Sequence, residues 1–571
     1  MQSGSPRQLI SGTAARILRF IYMVLADDIA ARILATVPRR ALYIIAAALL
    51  LSGCVKRTTT VEQGDRDGVL HIGNKDEPDD LDPHINDAIS TARILCGLFE
   101  SLVQYSDSGQ DVIPAAAESW DISPDGLTYT FHLRQAARWS NGETVTAAQF
   151  RDSFLRILDP HVASEVAGNM FAVAGARDFL EGRISDPAKV GLSAPDEHTF
   201  VVRLKHPTPY FLKVLAWSPF YPLYLPSLDA NGGRLQRGGP WEKPGVLVSN
   251  GAYMLAEWRP NAFVRIVRNP NYWDAVHVRI NEVRFYPTDD EASEERAFRA
   301  GQLHMTYTLP KSKLDAYEKE NSPELHTLPI QRTNFLAFNI HKGPFADARV
   351  RRAFSLAINR EALVRAALGD AGTPAHSFVR PGTAGFVPTE RFPHDPAEAA
   401  RLMAEAGYPG GKGFPHMELT LNSNTGLTIS VAEVLQQMWV DALGVRLELR
   451  PLEFKVYLQV DRDKQFDILF EGYSTYPDPH DMLSFGFSAD PNNDSGVNDA
   501  AYDKAYDASD RAPDAATRFR IIDGIEAINS ENTYYAPLYF SNRAMLIRPS
   551  VKGWHDHAVA AINWSELYLQ P

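Results

Sequence analysis

Residues 116–160, "AAESWDISPDGLTYTFHLRQAARWSNGETVTAAQFRDSFLRILDP", change periodicity within one stretch. "GLTYTFHLR" (126–134) alternates apolar and polar residues, the two-residue period of a half-buried strand. "TAAQFRDSFLRIL" (146–158) then spaces its apolar residues three and four apart, which predicts a helix entered through Thr146 as N-cap.

The same succession extends in both directions. Upstream, "GVLHIGNKDEPDDLDPH" (68–84) opens as a strand and enters a loop rich in Asp and Pro, and "STARILCGLFESLVQY" (90–105) has helical spacing. Downstream, strands are predicted at "HTFVVRLK", "FVRIVRN" and "EVRFYPT". Helices are predicted at "EASEERAFRAGQ" and, as one long element, at "DARVRRAFSLAINREALVRAAL" (347–368). Further on come the helices "DPAEAARLMAEAGY" and "TISVAEVLQQMWVDAL", and the strands "MELTLNS", "VRLELRPL" and "FDILFEG". The last strands, "APLYFSN" and "AMLIRPS", are expected as separate elements. Alternation without repeats predicts a mixed α/β or α+β protein of several lobes, since 55–571 is too long for one core.

Composition excludes some functions. The net charge of −13 argues against nucleic acid, whose phosphates require a basic face. The chain has two cysteines, and Cys54 ends "PRRALYIIAAALLLSGC" (38–54). This is the basic, apolar, small-residue order of a secretory signal, too short for the ~20 apolar residues of a membrane span. "LSGC" resembles a bacterial lipobox, so Cys54 is the expected lipidation site and 1–54 the leader. A translation start at Val37 or Met23 would bring the arginines close to the N-terminus. Residues 55–67 are expected to be a flexible tether. Cys96 is then left without a disulfide partner and is expected to be a small buried residue.

Catalytic signatures are lacking: there is no G-x-S-x-G, P-loop, H-E-x-x-H, C-x-x-C or G-x-G-x-x-G. His555-Asp556-His557 and the Asp478, His480, Asp481 group offer ligand-type side chains. Adjacent loop histidines are more often solvated, and "YPDPHDML" is better explained as a turn around two prolines. No metal or cofactor is expected. Nine Trp and 22 Tyr suit a cavity where rings cover a ligand, although most of them serve the core.

The stretch 116–160, with "LVSNGAYMLAEW", "VRNPNYW", "FNIHKGPFADARVRRAFSLAINREAL", "EAGYPGGKGFP" and "APLYFSNRAMLIRPSVKGW", resembles the family 5 extracytoplasmic solute-binding proteins of peptide ABC importers. The chain is most similar to the oligopeptide-binding members, over 68–571. The resemblance implies a two-lobed periplasmic-binding-protein type II fold with a third, inserted subdomain. Domain I would comprise 68–99, 227–331 and 542–571, domain II 100–226 and domain III 332–541, with hinge strands near Arg332 and Ser541. It implies a monomeric, lipid-anchored receptor in the bacterial cell envelope, facing the periplasm, that captures a peptide and delivers it to permease and ATPase subunits. No catalytic activity is expected, and a secreted hydrolase is disfavoured because no nucleophile–base pair can be named.

The implied ligand segment is Asp87, Ala88 and Ile89, just after "LDPH". A second is the end of "FDILFEGYSTYPDP", with Gly472, Tyr473, Thr475, Tyr476 and Asp478; Thr333, Asn334, Tyr539 and Phe540 are weaker candidates. Oligopeptide binders carry an aspartate before the tyrosine to meet the peptide amine, where this chain has Thr475 or a deletion. Positions that hold cationic groups in relatives are Phe470, Leu368 and Thr428. Either Asp478 or Asp87 substitutes, or the ligand is a non-zwitterionic solute: a modified peptide, sugar conjugate or metal chelate.

Overall fold

The computed structural model describes residues 58–571 except 87, 108, 110, 423–425, 475–477, 491, 556–561 and 571. Three sheets organise them. A four-stranded sheet has the order Val69–Gly73, Glu282–Tyr286, Phe263–Arg268, Tyr253–Arg259, its first pair parallel and the others antiparallel. A six-stranded sheet runs Gly372–Pro374, Tyr535–Leu546, Leu325–Phe338, Ile468–Ser474, Glu418–Asn422, Glu448–Leu452. Its first four strands are antiparallel and its last three parallel. The third sheet, Ala117–Ile122, Thr128–Leu133, Thr199–Arg203 and Leu192–Ser193, is antiparallel.

The opening stretch folds as its periods predict. Thr128–Leu133 buries alternate residues, so Tyr129, Phe131 and Leu133 enter the core. The helix Ala147–Ile157 follows, and Gln149 Oε1 accepts the Thr146 N–H at 2.8 Å, half of a capping box. Phe150, Phe154 and Ile157, on one face, pack against Phe131 and Phe200.

Separate apolar clusters lie on the three sheets. One gathers residues of 102–224, a second residues of 336–539, and a third combines residues of 70–285 with Met545, Ile547 and Leu567. Leu325–Phe338 and Tyr535–Leu546 pair along their lengths, with a register shift between Pro329 and Thr333. Their ends serve different cores: Leu336 and Leu538 enter the second cluster, Leu328 and Met545 the third.

The structure corrects four local expectations. Within the expected tether, Thr60–Asp67 is a helix, while 55–57 lie outside the described residues. Thr59 and Glu62 form a reciprocal capping box, Gly68 closes the helix at φ 71°, and Val61 is buried with its N–H on Gly301 O at 2.9 Å. Both caps stand in "TTTVEQGDRDG", so composition misled where capping chemistry would have served. The single helix expected over 347–368 is two, Ala348–Leu356 and Arg360–Ala367, because Asn359 caps the second by accepting the Ala362 N–H at 2.8 Å. "STARILCGLFESLVQY" divides into the helix Ile89–Leu98 and the strand Val103–Tyr105. The two terminal strands merge into Tyr535–Leu546.

Candidate functional site: a cleft between a helix start and a strand end

A cleft of about 260 Å³ is lined by His84, Asn86, Ala88, Ile89, Glu165, Trp217 and Ser474, among others. The volume lies just below the roughly 300–1,000 Å³ usual for small-ligand pockets. Two sequence segments far apart therefore meet: the start of Ile89–Leu98 and the end of Ile468–Ser474.

The first wall begins with "LDPH". Asp82 is fully buried and receives both terminal nitrogens of Arg156, at 3.0 and 2.6 Å. Arg156 Nη1 also donates to His84 Nδ1 at 2.8 Å, and His84 Nε2 donates to the Tyr221 carbonyl at 3.0 Å. Burial, with the Arg156 charge beside it, pushes the His84 ring down to about 3, so it is neutral at physiological pH. Asp82 Oδ1 accepts the His84 N–H, and Asn86 Oδ1 accepts that of Ala88, each at 3.1 Å. These bonds set the loop that delivers Ala88 and Ile89 to the cleft. Ala88 provides no side-chain cap for the helix Ile89–Leu98, whose first turn lines the cleft through Ala88, Ile89 and Ala92.

The second wall is built by register. Gly472 sits opposite Asn334, Tyr473 opposite Thr333 and Ser474 opposite Arg332; Asn334 and Thr333 in turn pair with Tyr539 and Phe540. Six candidate residues thus form two rows across three strands. Thr333, Asn334, Tyr539 and Phe540 are buried, with Thr333 Oγ1 on Phe378 O at 2.9 Å and Asn334 Nδ2 on Ser541 Oγ at 2.8 Å. Like Gly472 and Tyr473, they support the wall without lining the cleft, which Ser474 lines from this sheet. Tyr473 stands edge-on to Phe485 at 4.7 Å. Arg332 Nη1 donates to Ser474 Oγ at 3.2 Å.

The neighbouring strand Glu418–Asn422 pairs with Ile468–Phe470 only. Among the described residues, Glu471–Ser474 is therefore paired on one edge and open on the other. An open strand edge presents a row of backbone donors and acceptors to an extended ligand.

Asp87, Thr475 and Tyr476 lie outside the described residues, as does Cys54. Asp478 is described, and its carboxylate is taken by Arg518. Its two oxygens accept Arg518 Nη1 and Nη2 at 2.8 and 2.7 Å, and Oδ1 also accepts the His480 N–H at 2.8 Å. It caps the short helix Pro479–Met482, where His480 bonds Ser509 Oγ at 2.7 Å and stacks on Tyr506. Phe470 and Leu368 are packed in the second core. Among the described residues, the carboxylate side chain that lines the cleft is Glu165, exposed and on a loop. Sequence reading missed Glu165, Trp217 and Arg156. Arg156 was detectable as a charged residue at an inward position of "AAQFRDSFLRI". His555 of the histidine pair lies 3.7 Å from Asp107, and Asp556 and His557 fall outside the described residues.

The model of the bacterial extracellular solute-binding proteins, family 5, matches residues 111–494. The chain belongs to this family. The periplasmic murein peptide-binding protein of Escherichia coli (strain K12) is 32% identical to this family 5 protein, over 85% of this chain and 90% of the relative. The probable deoxycholate-binding periplasmic protein of the same organism is 31% identical, over 88% and 94%. Among solved structures, an unliganded open form of a periplasmic murein tripeptide-binding protein aligns with TM-score 0.76 at 29% identity, covering 90% of this chain and 99% of that one. The Haemophilus influenzae oligopeptide-binding protein in complex with RPPGFSPFR aligns with TM-score 0.71 at 28% identity, covering 88% and 99%. The fold of this family 5 protein is accordingly mixed α/β and two-lobed.

Proposed function

We propose that this protein captures peptides between two closing lobes and delivers them to the permease and ATPase subunits of an ABC importer. The observation that carries the reading is the open edge at Glu471–Ser474, whose end shares a cleft with the uncapped start of Ile89–Leu98. A peptide laid between them hydrogen-bonds backbone to backbone, which gives affinity without reading side chains. Relatives named for peptides support the choice of ligand.

Domain I would be 68–99, 227–331 and 542–571, domain II 100–226 and domain III 332–541, as the separate apolar clusters support. The register shift between Pro329 and Thr333 supports a hinge near Arg332 and Ser541. The protein would work as a monomer without catalytic activity, held by acylated Cys54 and facing the periplasm. None of the described helices is long and apolar enough to cross a membrane.

Incubation with labelled tripeptides tests the reading: stoichiometric retention of intact peptide is expected, and turnover would overturn it. A second reading, a solute without paired charged termini, is favoured by the apolar burial of Phe470 and Leu368. It predicts that an uncharged or singly charged solute displaces the tripeptide. Cys54→Ala should release the protein from membranes or leave it unprocessed.

A further inference from the structure

A cavity of about 60 Å³ is lined by Arg93, Tyr307, Arg543, Trp554 and Asn563, and none of its lining residues is shared with the cleft. Arg93 is 2% exposed. Its Nη1 donates to Gly73 O at 3.0 Å, while Nε and Nη2 have no hydrogen-bond partner. Among the described residues no carboxylate lies within ion-pairing distance of it. The buried Glu294 accepts the Tyr307 and Thr308 N–H groups at 3.1 and 3.4 Å, and its charge acts on Arg93 from beyond ion-pairing distance. Arg543 stands over the same ring, its guanidinium carbon 4.5 Å from the Tyr307 centroid against 5.2 Å for Arg93.

Two like charges thus flank one ring, and one of them is a buried guanidinium with two unused donors. A buried charge left unpaired is strongly unfavourable, whereas a planar guanidinium matches a carboxylate or phosphate with two parallel hydrogen bonds. Two acids also line the cavity: Glu566 accepts Asn563 Nδ2 at 2.7 Å and shares a hydrogen bond with Asp107, which lies 3.7 Å from His555. The volume has room for about four to six water-sized groups at ~10–15 Å³ each, the size of acetate or inorganic phosphate.

We infer that this cavity is a second binding site, separate from the peptide cleft, for a small oxyanion held by Arg93 and Arg543. Sodium phosphate and sodium acetate, each titrated into the full chain at ionic strength fixed with chloride, test it. Tryptophan fluorescence and thermal melting are the readouts, since Trp554 lines the cavity. A saturable response is expected with at least one anion. Phosphate alone responding would assign the site to phosphates, and acetate responding would assign it to carboxylates. Arg543→Gln, at a half-buried position, should weaken the apparent affinity about tenfold or more, and Arg543→Lys by less, because lysine keeps the charge and loses the fork. No saturable response to either anion overturns the inference, as does a response that both variants leave unchanged. Retention of tripeptide by Arg543→Gln is expected at wild-type level, so failure of the cleft reading and of this one are told apart.

Discussion

The two walls of the cleft are held in different ways. Gly472–Ser474 is positioned by a strand ladder: each residue is fixed by a neighbour that is itself paired or packed. Ala88 and Ile89 follow a loop whose geometry hangs on one buried ion pair, Asp82–Arg156, and on the neutral His84 beside it. A ladder distributes its energy over many bonds and yields locally. A buried pair concentrates it, since removing one partner strands the other's charge. The helix-side wall is therefore the more breakable of the two.

The largest effect is expected from Arg156→Met. It leaves the Asp82 carboxylate buried and unpaired and deprives His84 of its donor, which should cost about 3–5 kcal/mol. Urea unfolding gives the stability, and peptide titration on the remaining folded protein should show binding lost. A loss under about 1 kcal/mol would mean that the pair contributes little. On the ladder side, Gly472→Ala places a methyl group 2.5 Å from Asn334 Oδ1 and against the Arg332 guanidinium. Arg332 has a flexible end, but Asn334 is buried and bonded to Ser541. The expected cost is about 1–3 kcal/mol, with binding weakened more than abolished. If Gly472→Ala proves the costlier change, the comparison is reversed.

The contrast also explains what the sequence made legible. Strands such as Thr128–Leu133 announce themselves because local alternation and final burial agree. Ala88, Ile89, Gly472 and Tyr473 were placed by resemblance; Ala88 and Ile89 line the cleft, whereas Gly472 and Tyr473 precede Ser474, the residue of their strand that does. Arg156 and Glu165 were missed because their roles depend on contacts with distant parts of the chain: Arg156 reaches Asp82 across 74 residues. Asp478 looked available because a carboxylate after a proline carries no mark of the Arg518 that takes both its oxygens. The capped helix Thr60–Asp67 was readable and was overridden by its polar composition.

Acidity separates the walls again. On the helix side His84 is lowered to about 3 by burial and by Arg156. Its contribution is present above the unfolded value near 6.5 and is lost as pH falls below that. On helices of the same part of the chain as the six-stranded sheet, burial raises Glu526 to about 7 despite N–H donors from Phe378 and Val379, and burial with the neighbouring Asp478 charge raises Asp481 to about 7. Such acids hold a proton in the folded state that the unfolded chain has released. Their contribution is full below about pH 4 and is lost as pH rises through about 7. The two sets oppose each other between roughly 4 and 6.5, and above 6.5 only the acids still titrate. Melting temperature should therefore fall from pH 6.5 to 8, with each acid accounting for under about 1 kcal/mol. Asp481→Asn should shallow that fall, and a melting temperature that rises over the interval would contradict the assignment.

The smallest effect expected is on the ligand itself. Among the described residues, the carboxylate side chain lining the cleft is the exposed Glu165, Asp478 is committed to Arg518, and Phe470 and Leu368 are packed in the core. A receptor so arranged holds a peptide by its backbone at Ala88–Ile89 and along the open edge at Gly472–Ser474. The peptide amine then meets at most a solvated carboxylate, and pairs of that kind contribute roughly 0–1 kcal/mol. N-acetylation of a bound tripeptide should cost under about 1 kcal/mol by calorimetric titration, whereas losing an amine–carboxylate pair in a dry site would cost about 3–5 kcal/mol. Glu165→Gln should remove whatever small difference remains between the free and acetylated peptides. If acetylation abolishes binding and Glu165→Gln leaves the difference intact, the anchor is elsewhere, and Asp87→Asn is the variant that should then reproduce the loss. In that event the helix-side wall would hold the ligand by charge as well as by backbone, and the ladder side would hold it by backbone alone.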